Sequence, residues 1–324
     1  MLDFEHFPKI DAHFHSTSLD ERYYTIAKRY NVRYININTD ASDVFPSVNE
    51  QEQIALIYEQ KHPSYFHHIC TFSMVGCFEQ GWLDKVKKNI TDSMNKGALG
   101  VKIWKNIGMQ IRKPDGSFLL VSDEIFSPFF QFLSDRRIPI LAHLGEPLNC
   151  WLPMEKMTSE RNKAYFSKHP GFYAYLHPEI PSYKEQIRAR DYVLQHFPDL
   201  NFIGAHLGSM EWSYEEIAKR LEAFPNFSVD ISSRLGHLQI QSMNDYEGVR
   251  NFFIKYADRL IYGTDAYNNI DKLETSLINE WEFLATAHAY TSNEVNKVCK
   301  GLSLPEDVLI KIYHNNARRI YNFD

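Results

Sequence analysis

Short apolar or β-branched runs, each followed by a loop and then a stretch of helical period, recur eight times along this 324-residue chain. Few folds can be built from that alternation. The runs cover residues 9–15, 34–40, 67–74, 98–104, 139–145, 201–208, 226–233 and 260–266. Parallel strands require helical crossovers, and eight βα units close a sheet on itself, so the pattern predicts an α/β fold, the (β/α)8 TIM barrel. Ser213, three residues before Glu216, has the spacing of a capping box ahead of Ile217 and Leu221. After the eighth run the sequence predicts a helix over 271–287 and a last one opened by Pro305, both packed over the barrel's outside. No glycine-serine linker or low-complexity stretch interrupts residues 1–324, which read as a single domain.

The run ends carry the chemistry. His13-Phe14-His15 closes the first run, and because strand side chains alternate, both imidazoles point one way and Phe14 the other. His143 ends the fifth run, His206 the sixth and Asp265 the eighth. In a barrel these positions converge over the C-terminal mouth, so five potential ligands from four strands meet at one place. Three or four neutral imidazoles and a carboxylate suit Zn2+, with Mn2+, Fe2+, Co2+ or Ni2+ as alternatives. An open coordination position would lower the pKa of bound water to about 7, and Asp265 is placed to take its proton. Asp11 and Asp230, also near strand ends, are read as hydrogen-bonding partners of the histidines and not as ligands.

Two connections exceed the usual loop length, and both follow strands. Residues 105–121 carry a Pro114-Asp115-Gly116 turn signal; residues 146–181 are rich in aromatics and proline, including Trp151, Tyr165, Phe166 and Tyr173. The second is either a lid over the pocket or a satellite core of its own. Trp104, Lys105, Arg112, Trp151, His177, Arg234, His237 and Tyr267 lie in post-strand segments where a cation could hold an acid or an aromatic could stack. Arg234, directly after the seventh run, leads this set, with Trp104 and Glu146 beside it as substrate-binding candidates.

Composition narrows the partners. A formal charge of -6 and a sequence pI near 6.2 leave no basic footprint for nucleic acid or an anionic membrane, so a small-molecule substrate is expected, with a homo-oligomer possible. Cys70, Cys77, Cys150 and Cys299 have no C-x-x-C spacing and read as free thiols. The acidic start MLDFEHF lacks the basic and apolar regions of a signal peptide, which points to the cytoplasm.

The set of His-x-His on strand 1, His143, His206 and Asp265 resembles the amidohydrolase superfamily. Gly263-Thr264-Asp265, the Ile10-Asp11-Ala12 lead-in and Asn316-Ala317-Arg318 in the last helix resemble its amidohydrolase-related branch, which also includes aminocarboxymuconate semialdehyde decarboxylase. Resemblance to the single-metal members implies an ion held by His13, His15, His143 and Asp265, with His206 acting on the substrate; in two-metal members His143 and His206 would both bind the second ion, and one ion is the preferred expectation. Lys102 stands where two-metal members carry a carboxylated bridging lysine, the alternative being an ordinary ammonium paired with an acid. His143-Leu144-Gly145-Glu146 resembles the His-x-Gly-Glu of adenosine deaminases. The leading expectation is a metal-dependent hydrolase of a small amide, ester or lactone, with Asp265 as general base and acid. The alternatives are a non-oxidative decarboxylase or a deaminase on the same ligands, and a non-catalytic binding barrel, whose mark would be a missing ligand.

Overall fold

The computed structural model describes residues 2–41 and 43–323. Eight strands run parallel in chain order: β1 (Lys9–His15), β2 (Val32–Ile37), β3 (Phe66–Thr71), β4 (Val101–Ile103), β5 (Ile140–Ala142), β6 (Phe202–Gly204), β7 (Phe227–Asp230) and β8 (Leu260–Ile261). A ninth, β9 (Ala266–Tyr267), pairs in parallel with β1. The predicted eighth run is therefore one strand broken in two. Its first half bonds β7 through Leu260 and Ile261, and its second half closes the barrel by pairing Ala266 with Phe14. Between the halves the Ala12 amide donates to the Tyr262 carbonyl at 3.0 Å. Gly263 permits this approach, since a Cβ there would lie 2.7 Å from the His13 Cβ.

Alternation sorts the side chains. Ile35, Ile37, Ile69, Leu141, Ile203 and Ile261 fill the barrel's interior with Ile10 and Ala12, while Phe14, Tyr34, Cys70, Val101, Phe202 and Phe227 face the helices. β1 breaks the alternation between Ala12 and His13, where its register with β2 shifts. At this irregularity the Asp11 carboxylate accepts from the His13 amide at 3.1 Å and from the Thr264 amide at 3.0 Å. The shift keeps Ile10 and Ala12 in the core and still turns His13 and His15 to the axis, as a bulge does beside many active sites. Asp11 is thus a staple between strands and does not touch the imidazoles, a correction to its expected role.

The regular strands are shorter than the apolar runs. His143 lies one residue past β5 and His206 two past β6, because the chain turns there to start its loops. Ser213 caps the helix Tyr214–Ala223 by accepting from the Glu216 amide, with Ile217 and Leu221 buried; Glu216 itself pairs with Lys219 and Arg220. The helix Ile270–Ala285 packs outside through Leu273, Leu277 and Leu284, as expected. The last helix does not. Glu306–Ile310 continues through a π turn at Lys311–Asn315 into Asn316–Tyr321, whose Ala317, Ile320 and Tyr321 join the interior cluster. It plugs the barrel because its apolar positions match the interior isoleucines. Among the described residues no helix is long and apolar enough to cross a membrane.

Candidate metal centre and active site

Outer hydrogen bonds fix which nitrogen each histidine presents. His13 Nδ1 donates to Asp230 Oδ2 at 2.8 Å, His15 Nδ1 to the Ile37 carbonyl at 2.9 Å, and His206 Nδ1 to the Ser232 carbonyl at 3.0 Å. A carbonyl only accepts, so each Nδ1 of His15 and His206 carries the hydrogen and each Nε2 keeps its lone pair. Asp265 Oδ1 lies 3.6 Å from His13 Nε2 and 3.5 Å from His15 Nε2. These three residues offer donor atoms close enough together to hold one metal ion. His143 is buried with neither ring nitrogen hydrogen-bonded, and its ring stands 4.4 Å from that of His206. A buried imidazole with no partner is costly unless something binds it. His13, His15 and Asp265 therefore fit a divalent ion, and His143 and His206 stand beside them.

The backbone is bent to make this meeting possible. His206, Ser233 and Asp265 take φ of 57°, 54° and 57°, left-handed conformations that side chains with a Cβ rarely adopt and that collect at functional sites. The Asp265 amide donates to the His13 carbonyl at 2.7 Å, which locks the turn against β1. Ser233 Oγ donates to Asp265 Oδ2 at 2.8 Å. Asp230 serves as the hub: Oδ2 holds His13, and Oδ1 accepts from Ser232 Oγ at 2.6 Å and from the His206 amide at 2.8 Å. Ser232 and Ser233 escaped the sequence reading, because serines after a strand carry no signal by themselves; their place beside Asp230 was the only clue.

Electrostatics follow burial. Desolvation holds His143 and His206 well below the ordinary imidazole pKa, so both are neutral and available as electron-pair donors. Burial pushes the carboxyls of Asp265 and Asp230 up, but the surrounding imidazoles outweigh it and hold both below the usual carboxylate range. Lys102 is fully buried in β4, its ammonium 3.3 Å from His13 Nε2, and burial lowers it to about 8.

A cavity of about 300 Å³ opens above these groups, lined by His15, His143, His206 and Asp265 at its base. Its walls include Phe45, Trp104, Tyr165, Phe166 and Tyr267, and its charged rim Lys105, Glu146, Arg161 and Arg234. The Trp104 ring meets His143 edge-on at 4.9 Å, and Phe45 packs 5.1 Å from His15 and 4.8 Å from Tyr267. A larger cavity, about 570 Å³, lies between the helices Val48–Lys61 and Trp82–Asn95 and contains none of the histidines, so chemistry and not size selects the site.

Of the predicted substrate contacts, Trp104, Lys105, Glu146, Arg234 and Tyr267 line the cavity. Four others do not. Arg112 stacks on Phe118 at 4.0 Å in a hairpin turn, Trp151 donates to the Pro181 carbonyl, His177 contacts the Pro170 carbonyl, and His237 is buried in the helix Leu235–Ser242. Residues 146–181 combine both expectations: Cys150, Met157, Tyr173 and Ala174 form a small core, and the helix Glu160–Lys168 turns Arg161, Asn162, Tyr165 and Phe166 onto the cavity. Glu146 pairs with the Lys105 ammonium at the cavity's rim.

The solved structures that share this architecture include a 2,6-dihydroxybenzoate decarboxylase from Rhizobium, at TM-score 0.56 and 16% identity over 97% of this chain and 98% of the other. A dihydroxybenzoic acid decarboxylase from Polaromonas, with bound manganese and 2-nitroresorcinol, matches at TM-score 0.59 and 13% identity over 97% of each chain. A manganese-bound 5-carboxyvanillate decarboxylase from Novosphingobium aromaticivorans matches at 0.55 and 13%, over 94% and 81%. A search of curated protein sequences returned no match. These neighbours overturn the expected hydrolase: several of the chains that share the barrel from end to end are decarboxylases, beside others described only as amidohydrolases or as an uncharacterized TIM-barrel protein, so the sequence's alternative reading is the better supported. The error arose because the same ligand set serves water attack and carbon–carbon cleavage alike. With the amidohydrolase family matched across residues 10–323, nearly the whole barrel and its closing helix, this chain is a member of that family.

Proposed function

We propose that the protein is a metal-dependent, non-oxidative decarboxylase of a small, planar carboxylic acid. The observation that carries this reading is the pairing of an unshared cation with the strand-end donors: Arg234 lines the cavity, forms no ion pair with an acid among the described residues, and keeps a buried Nε without a partner. An acid is the ligand that satisfies it. The aromatic walls at Phe45, Trp104 and Tyr267 suit a flat ring more than a flexible chain.

His13, His15, His143 and Asp265 would hold the ion, and Lys102 would remain an ammonium beside it and not a carboxylated bridge to a second. A divalent ion bound there supplies a Lewis acid that anchors the acid and spreads developing negative charge. The imidazole-rich donors suit zinc, and the manganese in two of the structural neighbours makes manganese the other candidate. Arg234 orients the carboxylate. His206, neutral with its Nε2 lone pair available, accepts a hydrogen bond or proton from a hydroxyl on the substrate. Asp265, ionised and steadied by Ser233, would take up a proton from solvent and pass it to the carbon from which CO2 departs, so that a C–C bond breaks and a C–H bond forms.

The test is to load the protein separately with zinc and manganese and incubate it with a panel of hydroxybenzoates and unsaturated acids. CO2 release with the matching decarboxylated product supports the reading; no release from any acid by either form refutes it.

A further inference from the structure

Arg161 is a charged cavity residue that the decarboxylase reading leaves without a task. It sits in the first turn of the lid helix Glu160–Lys168, lines the cavity, and its guanidinium is paired with Glu294. Glu294 stands in the turn between two antiparallel strands, Ala289–Ser292 and Lys297–Lys300, and this turn packs against Gly236 at the start of the helix that follows Arg234. Arg161 and Arg234 thus reach the cavity from two elements that the Glu294 turn touches together.

The charges on the rim separate into two kinds. The Lys105 ammonium is neutralised by Glu146 inside the cavity, with side chains 19% and 8% exposed. The Arg161–Glu294 pair is far wetter, at 53% and 31%. An exposed pair is held weakly, so a ligand anion can replace Glu294 at small cost, whereas the Lys105 pair is sheltered from such exchange. Asn162, next to Arg161, also faces the cavity and is held by Asn149, which fixes this first turn of the helix in place.

We propose that Arg161 is a specificity residue: the substrate carries a second carboxylate, which takes Arg161 from Glu294. The inference rests on the acid-binding part of the function proposed above and names the substrate as a doubly acidic planar molecule. The guanidinium's forked donors match a carboxylate, and Arg234 remains free for the reacting acid. Glu294 acts through Arg161 as a competitor that discriminates against singly charged acids.

Binding calorimetry on the metal-loaded protein tests this without turnover, using benzoate, salicylate and isophthalate. Wild type should bind isophthalate about two- to tenfold more tightly than benzoate, the range expected when one half-exposed ion pair is exchanged for a drier one. Arg161→Gln should bring that preference near unity with benzoate affinity unchanged, Arg161→Lys should restore part of it, and Glu294→Gln should raise affinity for the doubly acidic ligand. A gain for salicylate, a monoanion whose hydroxyl keeps its proton, with none for isophthalate would overturn the proposal. An equal loss for all three ligands in Arg161→Gln, no preference in wild type, or no binding of any ligand would overturn the proposal. A preserved preference with no CO2 released from any acid would sink the decarboxylase reading and leave Arg161's role standing.

Discussion

His13 Nδ1 and Asp230 Oδ2 lie 2.8 Å apart with both side chains about 1% exposed, so the imidazole that faces the site is aimed from behind by a buried carboxylate. The same carboxylate steadies His206 through its amide and Ser232 through its hydroxyl. Removing the charge while keeping the shape should loosen this arrangement. Asp230→Asn is expected to lower metal affinity by about ten- to a hundredfold, the usual effect of losing such an outer partner. Metal titration followed by circular dichroism checks it; unchanged affinity in a folded variant would remove Asp230 from the design.

His13→Ala and Asp265→Asn should each abolish metal binding and turnover in a barrel that still folds, because these groups serve the site and not the interior cluster of isoleucines. Wild type should hold about one tight ion per chain, and Lys102→Ala should retain it. Elemental analysis decides. Two ions in wild type, falling to fewer in Lys102→Ala, would establish Lys102 as a bridge.

His206 should separate from His143. With its Nδ1 hydrogen committed to Ser232, His206→Asn is expected to keep metal near the wild-type level and to lose about a hundred- to ten-thousandfold in kcat. His143→Asn, which removes a ring whose nitrogens have no other partner, should lose metal as well. Equal metal loss in both would make His206 a ligand.

His237 sets part of the acid limit of stability. Burial, with Arg234 and Arg161 nearby, lowers it to about 3. Its folded pKa lies below its unfolded value near 6.5, so the unfolded chain binds the extra proton: the contribution is complete above about 6.5 and is lost as pH falls from there toward 3. His237→Gln should flatten this limb by up to about 1.4 kcal/mol per pH unit. Urea midpoints at pH 7 and pH 5 measure it, and an identical pH dependence in both proteins would refute it.

Tyr321 in the closing helix is buried in the barrel's base, its hydroxyl without a partner. Tyr321→Phe should leave stability unchanged or raise it, since an unsatisfied buried hydroxyl is removed. Tyr321→Ala should cost about 3–5 kcal/mol, as expected for truncating a large core ring. Denaturant unfolding of the two variants tests the plug; a mild effect of Tyr321→Ala would place the helix outside the cooperative core.

The sequence by itself determined the eight strands, the barrel, and which residues stand at the mouth, because alternation along a strand and the run-loop-helix repeat are local. His13, His15, His143, His206 and Asp265 were legible from their places at the ends of apolar runs. Only the tertiary structure decided what depends on contacts between distant segments. The break in alternation at Ala12 and His13 needs Thr264, 253 positions after Asp11, to bond the same carboxylate. The left-handed turns at His206, Ser233 and Asp265 arise where loops must depart from a closed sheet, and no local pattern of these residues announces them. Loop candidates fared according to the same physics. Arg112, a candidate from the sequence, folds back on Phe118, while Arg161, which the sequence reading missed, reaches the cavity, because the helix that carries it is seated over the mouth by a core of its own. The final helix shows the limit most directly: its start at Pro305 was readable and it was expected outside the barrel, but that it met the base was settled only when eight strands closed around an opening of the right size.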